Sequence, residues 1–145
     1  MPVKPIPDGY HSVTPYVVVQ AAAKLIDFMK QAFDAQEIER MQQPDGVIMH
    51  AEVKIGDSII MLSDARGDFK PMPCAMYLYV NDTDAIYKRA LLAGATSIME
   101  PANKFYGDRN AGVIDPSDNM WWIATHVEDV SPDELMRRAQ TQHKE

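Results

Sequence analysis

The chain has 145 residues, with 14 Lys and Arg against 21 Asp and Glu for a formal charge of −7; 46% of positions are apolar and 24% are charged. This mix excludes a disordered chain, which lacks the apolar surface to offset its ordering entropy. The acidic balance excludes non-specific nucleic-acid binding, which needs Lys and Arg against phosphate. At this length roughly 68% of the unfolded surface can be buried, enough for one core, so residues 1–145 are expected to form a single domain. The opening MPVKPIPDGY has three prolines and no apolar run, and no stretch reaches spanning length. Neither a signal peptide nor a membrane partner is expected, and a cytoplasmic location follows. A lone Cys74 excludes an internal disulfide, a zinc ribbon and a CxxC redox site, and reads as a buried thiol.

In chain order, residues 13–19 (VTPYVVV) read as a strand entered through Pro15. From Ala21 to Phe33 the apolar set Ala22, Leu25, Ile26, Met29 and Ala32 takes helical spacing. A short strand over 37–42 and a PDG turn at 44–46 follow. In VIMHAEVKI the odd positions from Val47 to Ile55 are apolar, while His50, Glu52 and Lys54 share the other face. Gly56-Asp57 then makes a hairpin turn into the strand SIIMLS. After a linker the order begins again. CAMYLYV (74–80) is a strand, Asp82 and Thr83 offer N-cap oxygens to a helix over 85–93, and Gly94 caps its end. TSIME, a run ending near Ile114 and MWWIATH supply three more strands, with 104–112 the least patterned stretch. Val19 matches Val80, Ala35 matches Ala95 and Ile38 matches Ile98, at offsets of 60 or 61, so the pattern reads as a duplicated βαβββ unit. The modules span about 10–65 and 74–128. Ser131, Pro132 and Glu134 then form a capping box that opens a short C-terminal helix over about 131–141.

The stretches VTPYVVVQAAAKLIDFMKQAF, MHAEVKIGDSIIMLSD and YGDRNAGVIDPSDNMWWIATHVEDVSP resemble the vicinal oxygen chelate superfamily, more narrowly its PhnB-like branch. The resemblance covers about residues 10–135. It implies an α+β fold of two βαβββ modules with cupped mixed sheets, often completed in a homodimer. The superfamily includes glyoxalases, extradiol dioxygenases, epimerases, fosfomycin-modifying enzymes and bleomycin-binding proteins, and its enzymes place a divalent metal in the cup. The resemblance puts the ligand positions at Thr14, Met61, Ala75 and Trp122. None suits a hard or borderline divalent ion, so no metal and no cofactor is expected. The chain departs from the branch at DPSDN, where Phe-Gly is usual; Asp118 is expected to take the left-handed turn conformation at some cost.

Strand alternation assigns faces. Cys74, Met76, Leu78 and Val80 should face the helix, whereas Ala75, Tyr77 and Tyr79 line the cup. Thr14, Tyr16 and Val18 point inward from the first strand, and Met120, Trp122, Ala124 and His126 from the last. Aromatics with a few polar groups make a small-molecule surface, or else they close the sheet or a dimer seam. His50 and Glu52 stand two apart on one strand face, where the carboxylate can fix or charge the imidazole; a solvated polar face explains them as well. His126 approaches the cup mouth and joins them in one conceivable metal set, while His11 and His143 are expected to be exposed. Arg109 suits carboxylate or phosphate recognition, or pins its loop by an ion pair with Asp108, Asp115 or another acid. Met29, Met49, Met76 and Met99 are expected in the core, and Met61 and Met120 on the cup.

The expected function is metal-independent binding of an unidentified small organic molecule by Thr14, Tyr16, Met61, Tyr77, Tyr79, Arg109 and Trp122. The alternative is a lyase, isomerase or dioxygenase of the same superfamily, either metal-dependent or using His50 and Glu52 as an acid/base pair. A homodimer is expected, with no nucleic-acid partner.

Overall fold

A computed structural model describes residues 3–143. Its elements are β1 (Tyr16–Val19), α1 (Ala22–Phe33), β2 (Gln36–Gln42), β3 (Ile48–Ile55), β4 (Ser58–Asp64), β5 (Ala75–Tyr79), α2 (Thr83–Leu92), β6 (Thr96–Asn103), β7 (Asp108–Ile114), β8 (Met120–His126) and α3 (Pro132–His143). The fold is α+β. Two four-stranded mixed sheets have the orders β1-β4-β3-β2 and β5-β8-β7-β6. In each, the first strand runs parallel to the last and the remaining pairs are antiparallel. The βαβββ order thus occurs twice.

The repeat extends to register. Across sheet one the row Tyr16, Met61, Glu52, Glu39 aligns; across sheet two the matching row is Tyr77, Trp122, Gly112, Met99, each member 60 or 61 positions further along. Further up, the pairs Val18/Ser63 and His50/Met41 correspond likewise to Tyr79/Ala124 and Asn110/Ala102.

Each sheet packs one face on helices, and α1 packs on α2. Ala22, Leu25, Ile26, Met29 and Ala32 of α1 are buried as the helical spacing predicts, Phe28 is buried as well, and Val17, Val19, Val53 and Leu62 lie beneath them. The same core runs on into sheet two, where Phe33 meets the Trp121 ring at 4.7 Å between centroids. Arg89 of α2 joins the modules as well. Its guanidinium donates to both Asp34 carboxylate oxygens at 3.0 and 2.7 Å and to the Gln31 carbonyl at 2.8 Å, at the end of α1 where orphan carbonyls collect.

α1 starts without a side-chain cap of its own. Ala21 has φ 58 and offers no side-chain cap; instead Asp64, at the end of β4, accepts from the Ala22 amide at 2.7 Å and from the Ile48 amide at 2.7 Å. In α2, Asp82 caps Ala85 as expected, whereas the Thr83 hydroxyl is buried and donates to the Arg109 carbonyl. On β3, Ala51, Val53 and Ile55 face the helix, but at the Met49 position a bulge opposite Met41/Gln42 lets Ile48 be the buried residue there. Of the methionines expected in the core, Met29 is fully buried and Met99 is exposed opposite Gly112. Asp118 does take the left-handed conformation, φ 70.

α3 begins at a cap in which the Glu134 amide donates to the Ser131 hydroxyl, and Arg138 ties it back to Glu128 and the Phe105 carbonyl. His11 is exposed; the side chain of His143 lies outside the described residues. Among the described residues no helix is long and apolar enough to cross a membrane.

Candidate functional site

The faces of the two sheets turned away from the helices carry the chain's chemistry. On sheet one, His50 and Glu52 project from β3 on the same side as Tyr16 of β1 and Met61 of β4. His50 Nε2 stands 2.9 Å from a Glu52 oxygen, and its Nδ1 stands 3.3 Å from the Tyr16 hydroxyl. Glu52 is 6% exposed, and its second oxygen accepts from the Tyr10 hydroxyl. Burial works against ionising Glu52, but the hydrogen bonds from Tyr10 and His50 outweigh it and hold the carboxyl below its ordinary range. The same bond pushes the Tyr10 phenol up to about 12. Donor atoms of Glu39, His50 and Glu52 lie within 4.8 Å of one another. A cavity of ≈ 390 Å³ lies between residues 5–14 and this face, lined by Tyr10, Thr14, Glu52 and Met61 among others.

On sheet two, Tyr77 and Tyr79 from β5 lean together with ring centroids 5.3 Å apart. Both hydroxyls donate to one oxygen of Asp108 on β7, at 2.7 and 2.9 Å. His126 bridges two carboxylates, with Nδ1 2.8 Å from the other Asp108 oxygen and Nε2 2.8 Å from Asp129. Asn110, 1% exposed, donates from its amide to the Tyr77 oxygen at 3.1 Å and the Tyr106 oxygen at 2.6 Å, while its own Oδ1 has no partner. Below them the Trp122 ring lies against Gly112, so closely that a Cβ there would stand 2.8 Å from the indole. Glycine leaves the room that this tryptophan occupies. A cleft of ≈ 600 Å³ runs from Tyr77 and Tyr79 to Phe33 and the Gly56-Asp57 turn, and a second of ≈ 310 Å³ joins Tyr79 to His126.

Burial opposes ionisation of Asp108, but the bonds from Tyr77, His126 and Tyr79 reverse this and hold the carboxyl below its ordinary range. Burial, then the Asp108 bond, raises the Tyr77 phenol, and the same carboxylate raises Tyr79. Asp108 and Asp129 together raise His126 above 6.5. A raised folded-state value means that the proton on His126 stabilises the fold below pH 6.5 and that this contribution is lost as pH rises through the higher folded value. The carboxyl of Asp108 behaves oppositely, losing its contribution as pH falls through its depressed value. The imidazole resonances of His126 are therefore expected to titrate above 6.5 by NMR, and Asp129→Asn to bring the midpoint down; a wild-type midpoint at or below 6.5 contradicts the bridge.

Of the residues expected from the sequence, Tyr16, His50, Glu52, Met61 and Thr14 gather on the first cup, and Tyr77, Tyr79, Trp122 and His126 on the second. His126 stands on the other sheet from His50 and Glu52, so the three do not form one set. Arg109 is turned away from both cups: β7 alternation sends Asp108 and Asn110 to the cup and Arg109 to α2. There Nε and Nη2 hold the two Asp84 oxygens at 2.9 and 3.0 Å, and Nη1 reaches Asn103 at 3.2 Å. It pins a helix to a strand, with an acid other than Asp108 or Asp115 as its partner, and its ligand-recognition role is withdrawn. The positions equated with metal ligands offer a hydroxyl, a thioether, a methyl group and an indole at Thr14, Met61, Ala75 and Trp122, which is no donor set for a divalent ion. Cys74 is half-buried beside Asn119, and burial pushes its thiol up. Sequence reasoning missed Glu39, Asp108, Asn110 and Tyr10. Alternation along DRNAGVI would have put Asp108 and Asn110 on the cup face; nothing local marks Tyr10.

The sequence profile of the Glyoxalase/Bleomycin resistance protein/Dioxygenase superfamily matches residues 9–123. An uncharacterized protein of Mycobacterium bovis is 35% identical over 142 residues, covering 90% of this chain and 93% of that protein. Among solved structures, TioX from Micromonospora sp. ML1 superposes with a TM-score of 0.65 at 21% identity, over 80% of this chain and 100% of that one. The PhnB protein from Bacillus cereus does so with a TM-score of 0.64 at 14% identity, over 79% and 99%. With the profile spanning most of its length and the duplicated βαβββ register beneath it, the chain belongs to the glyoxalase/bleomycin resistance/dioxygenase superfamily.

Proposed function

We propose that this protein binds a small organic molecule on the aromatic face of its cups without a metal ion, as a sequestering or sensing member of its superfamily. The observation that carries the reading is the pairing of a missing donor set at Thr14, Met61, Ala75 and Trp122 with an open face built from Tyr77, Tyr79 and Trp122 beside clefts of ligand size. The exposure of Tyr16, Tyr77 and Tyr79, each 44% or more, supports a homodimer in which a second copy narrows each cup. The test is elemental analysis and native mass spectrometry of protein purified without chelators. The expected result is a dimer mass, no stoichiometric divalent ion and retention of an added aromatic ligand; one tightly held ion per chain at the cup overturns the reading.

The triangle of Glu39, His50 and Glu52 favours a second reading, an enzyme of the same superfamily that uses this set for acid/base work or as relocated metal ligands. Glu52→Gln separates the two. On the binding reading it leaves affinity for a second-cup ligand within about twofold, since Glu52 lies on the other sheet. On the enzymatic reading it lowers turnover about 100-fold or more.

A further inference from the structure

The polar end of the second cup has a one-sided hydrogen-bonding capacity. The Tyr77 and Tyr79 protons are committed to Asp108, and both His126 nitrogens face carboxylates. Because the Tyr77 proton is held by Asp108, the Asn110 atom 3.1 Å from the Tyr77 oxygen is the amide nitrogen, and its other hydrogen goes to Tyr106. What is left over in this group is acceptor capacity: spare lone pairs on the phenols and the carboxylate, and the buried, unpartnered Asn110 Oδ1. The donors left beside this group are neutral: the Trp122 indole N–H, in the Tyr77 row, and the proton of the Tyr106 hydroxyl, whose oxygen takes the Asn110 amide.

Charge points the same way. Asp108 and Asp129 around one imidazolium leave a net negative charge. Arg109 is spent on Asp84 behind the sheet. Lys104 is paired with Asp108 through its backbone, its amide donating to the Asp108 carbonyl at 2.7 Å, but its ammonium is directed to the Met99 sulfur on β6, 3.0 Å away. The tilted Tyr77 and Tyr79 rings beside a carboxylate form the electron-rich corner that attracts cations.

We propose, resting on the binding reading above, that this end of the cup receives an aromatic molecule by its hydrogen-bond-donor end, the fitting class being aromatic ammonium or amidinium compounds, and that it turns away carboxylates and phosphates. An N–H donor satisfies Asn110 Oδ1 while the ring packs on Tyr77, Tyr79 and Trp122. A substrate offering only paired oxygens meets the negative charge of Asp108 and Asp129 and finds no cationic donor in the group, only the neutral Tyr106 hydroxyl and the Trp122 indole.

The test uses 2-naphthylmethylamine and 2-naphthylacetate, titrated by calorimetry at pH 7 while the Asn110 side-chain amide is followed by NMR. The amine is expected to bind about tenfold tighter or more, and to move the Asn110 amide signals. Asn110→Leu is expected to weaken the amine about tenfold. Asp108→Asn, which keeps the shape, should shrink the preference for the amine even if the leucine variant fails to fold. Equal or tighter binding of the acetate overturns the ligand class and leaves the cup reading standing. An amine preference unchanged in both variants also overturns the class, and failure of both probes to bind overturns class and cup together.

Discussion

Replacing Trp121 with alanine is expected to destabilise the protein by about 3–5 kcal/mol, the largest effect of any single truncation in the core. Trp121 is 1% exposed and fills the junction between α1 and sheet two against Phe33. Its indole N–H also donates to Asp115 at 2.8 Å. Asp115 is itself buried, and it organises the turn into β8 by accepting from the Ser117 and Asn119 amides and the Asn119 side chain. Truncation therefore opens a cavity and takes one donor from a buried carboxylate. Trp121→Phe separates the two parts: the ring stays, the donor goes, and a loss of about 1–3 kcal/mol is expected. Because Phe33 and Trp121 belong to different modules, unfolding by denaturant is expected to remain a single transition with an unchanged slope. A loss under about 1 kcal/mol for the alanine variant, or an early transition confined to one module, contradicts this picture of a shared core.

The repeat was legible because its two signals are local. Helical spacing in α1 and strict alternation in β5 and β8 are written in consecutive residues, and the structure has helix-facing Leu78 and Ile123 and cup-facing Tyr77, Tyr79 and Trp122 where alternation put them. What escaped was set by partners distant in sequence. The cap of α1 is not written beside the helix start, because Asp64 stands 42 positions from the Ala22 amide that it holds. Arg109 looks like a ligand-binding guanidinium until α2 places Asp84 beside it. The alternation assigned to β3 from its apolar odd positions fails at Met49, since a bulge depends on the neighbouring strand and not on the residue itself. The His50 and Glu52 pair was visible as spacing. That Glu52 is buried and held by Tyr10 requires the N-terminal segment to fold back over the sheet.

Gly112→Val is the substitution expected to separate the cup from the fold most sharply. Gly112 does not need its conformational freedom, since its φ is not positive, and valine suits a strand. The cost is steric: Cζ3, Cε3 and Cη2 of Trp122 would lie 2.8, 3.1 and 3.3 Å from the new Cβ. The indole is rigid, so it gives way as a unit. Below it are Gly112 and the sheet, and above it is the open cup, so it swings outward across the face that Tyr77 shares. The expected result is a loss of about 1–3 kcal/mol in stability from overpacking. Near-ultraviolet dichroism should change, and affinity for 2-naphthylmethylamine should fall about tenfold or more as the ring fills the space a ligand would take. A double-mutant cycle with Trp122→Ala checks the mechanism, because with the indole gone the valine has nothing to collide with and its destabilisation should largely vanish. If valine is as costly in the alanine background as in the wild type, the indole is not what crowds position 112. If affinity survives while the dichroism changes, the ligand does not rest on the floor made by Trp122.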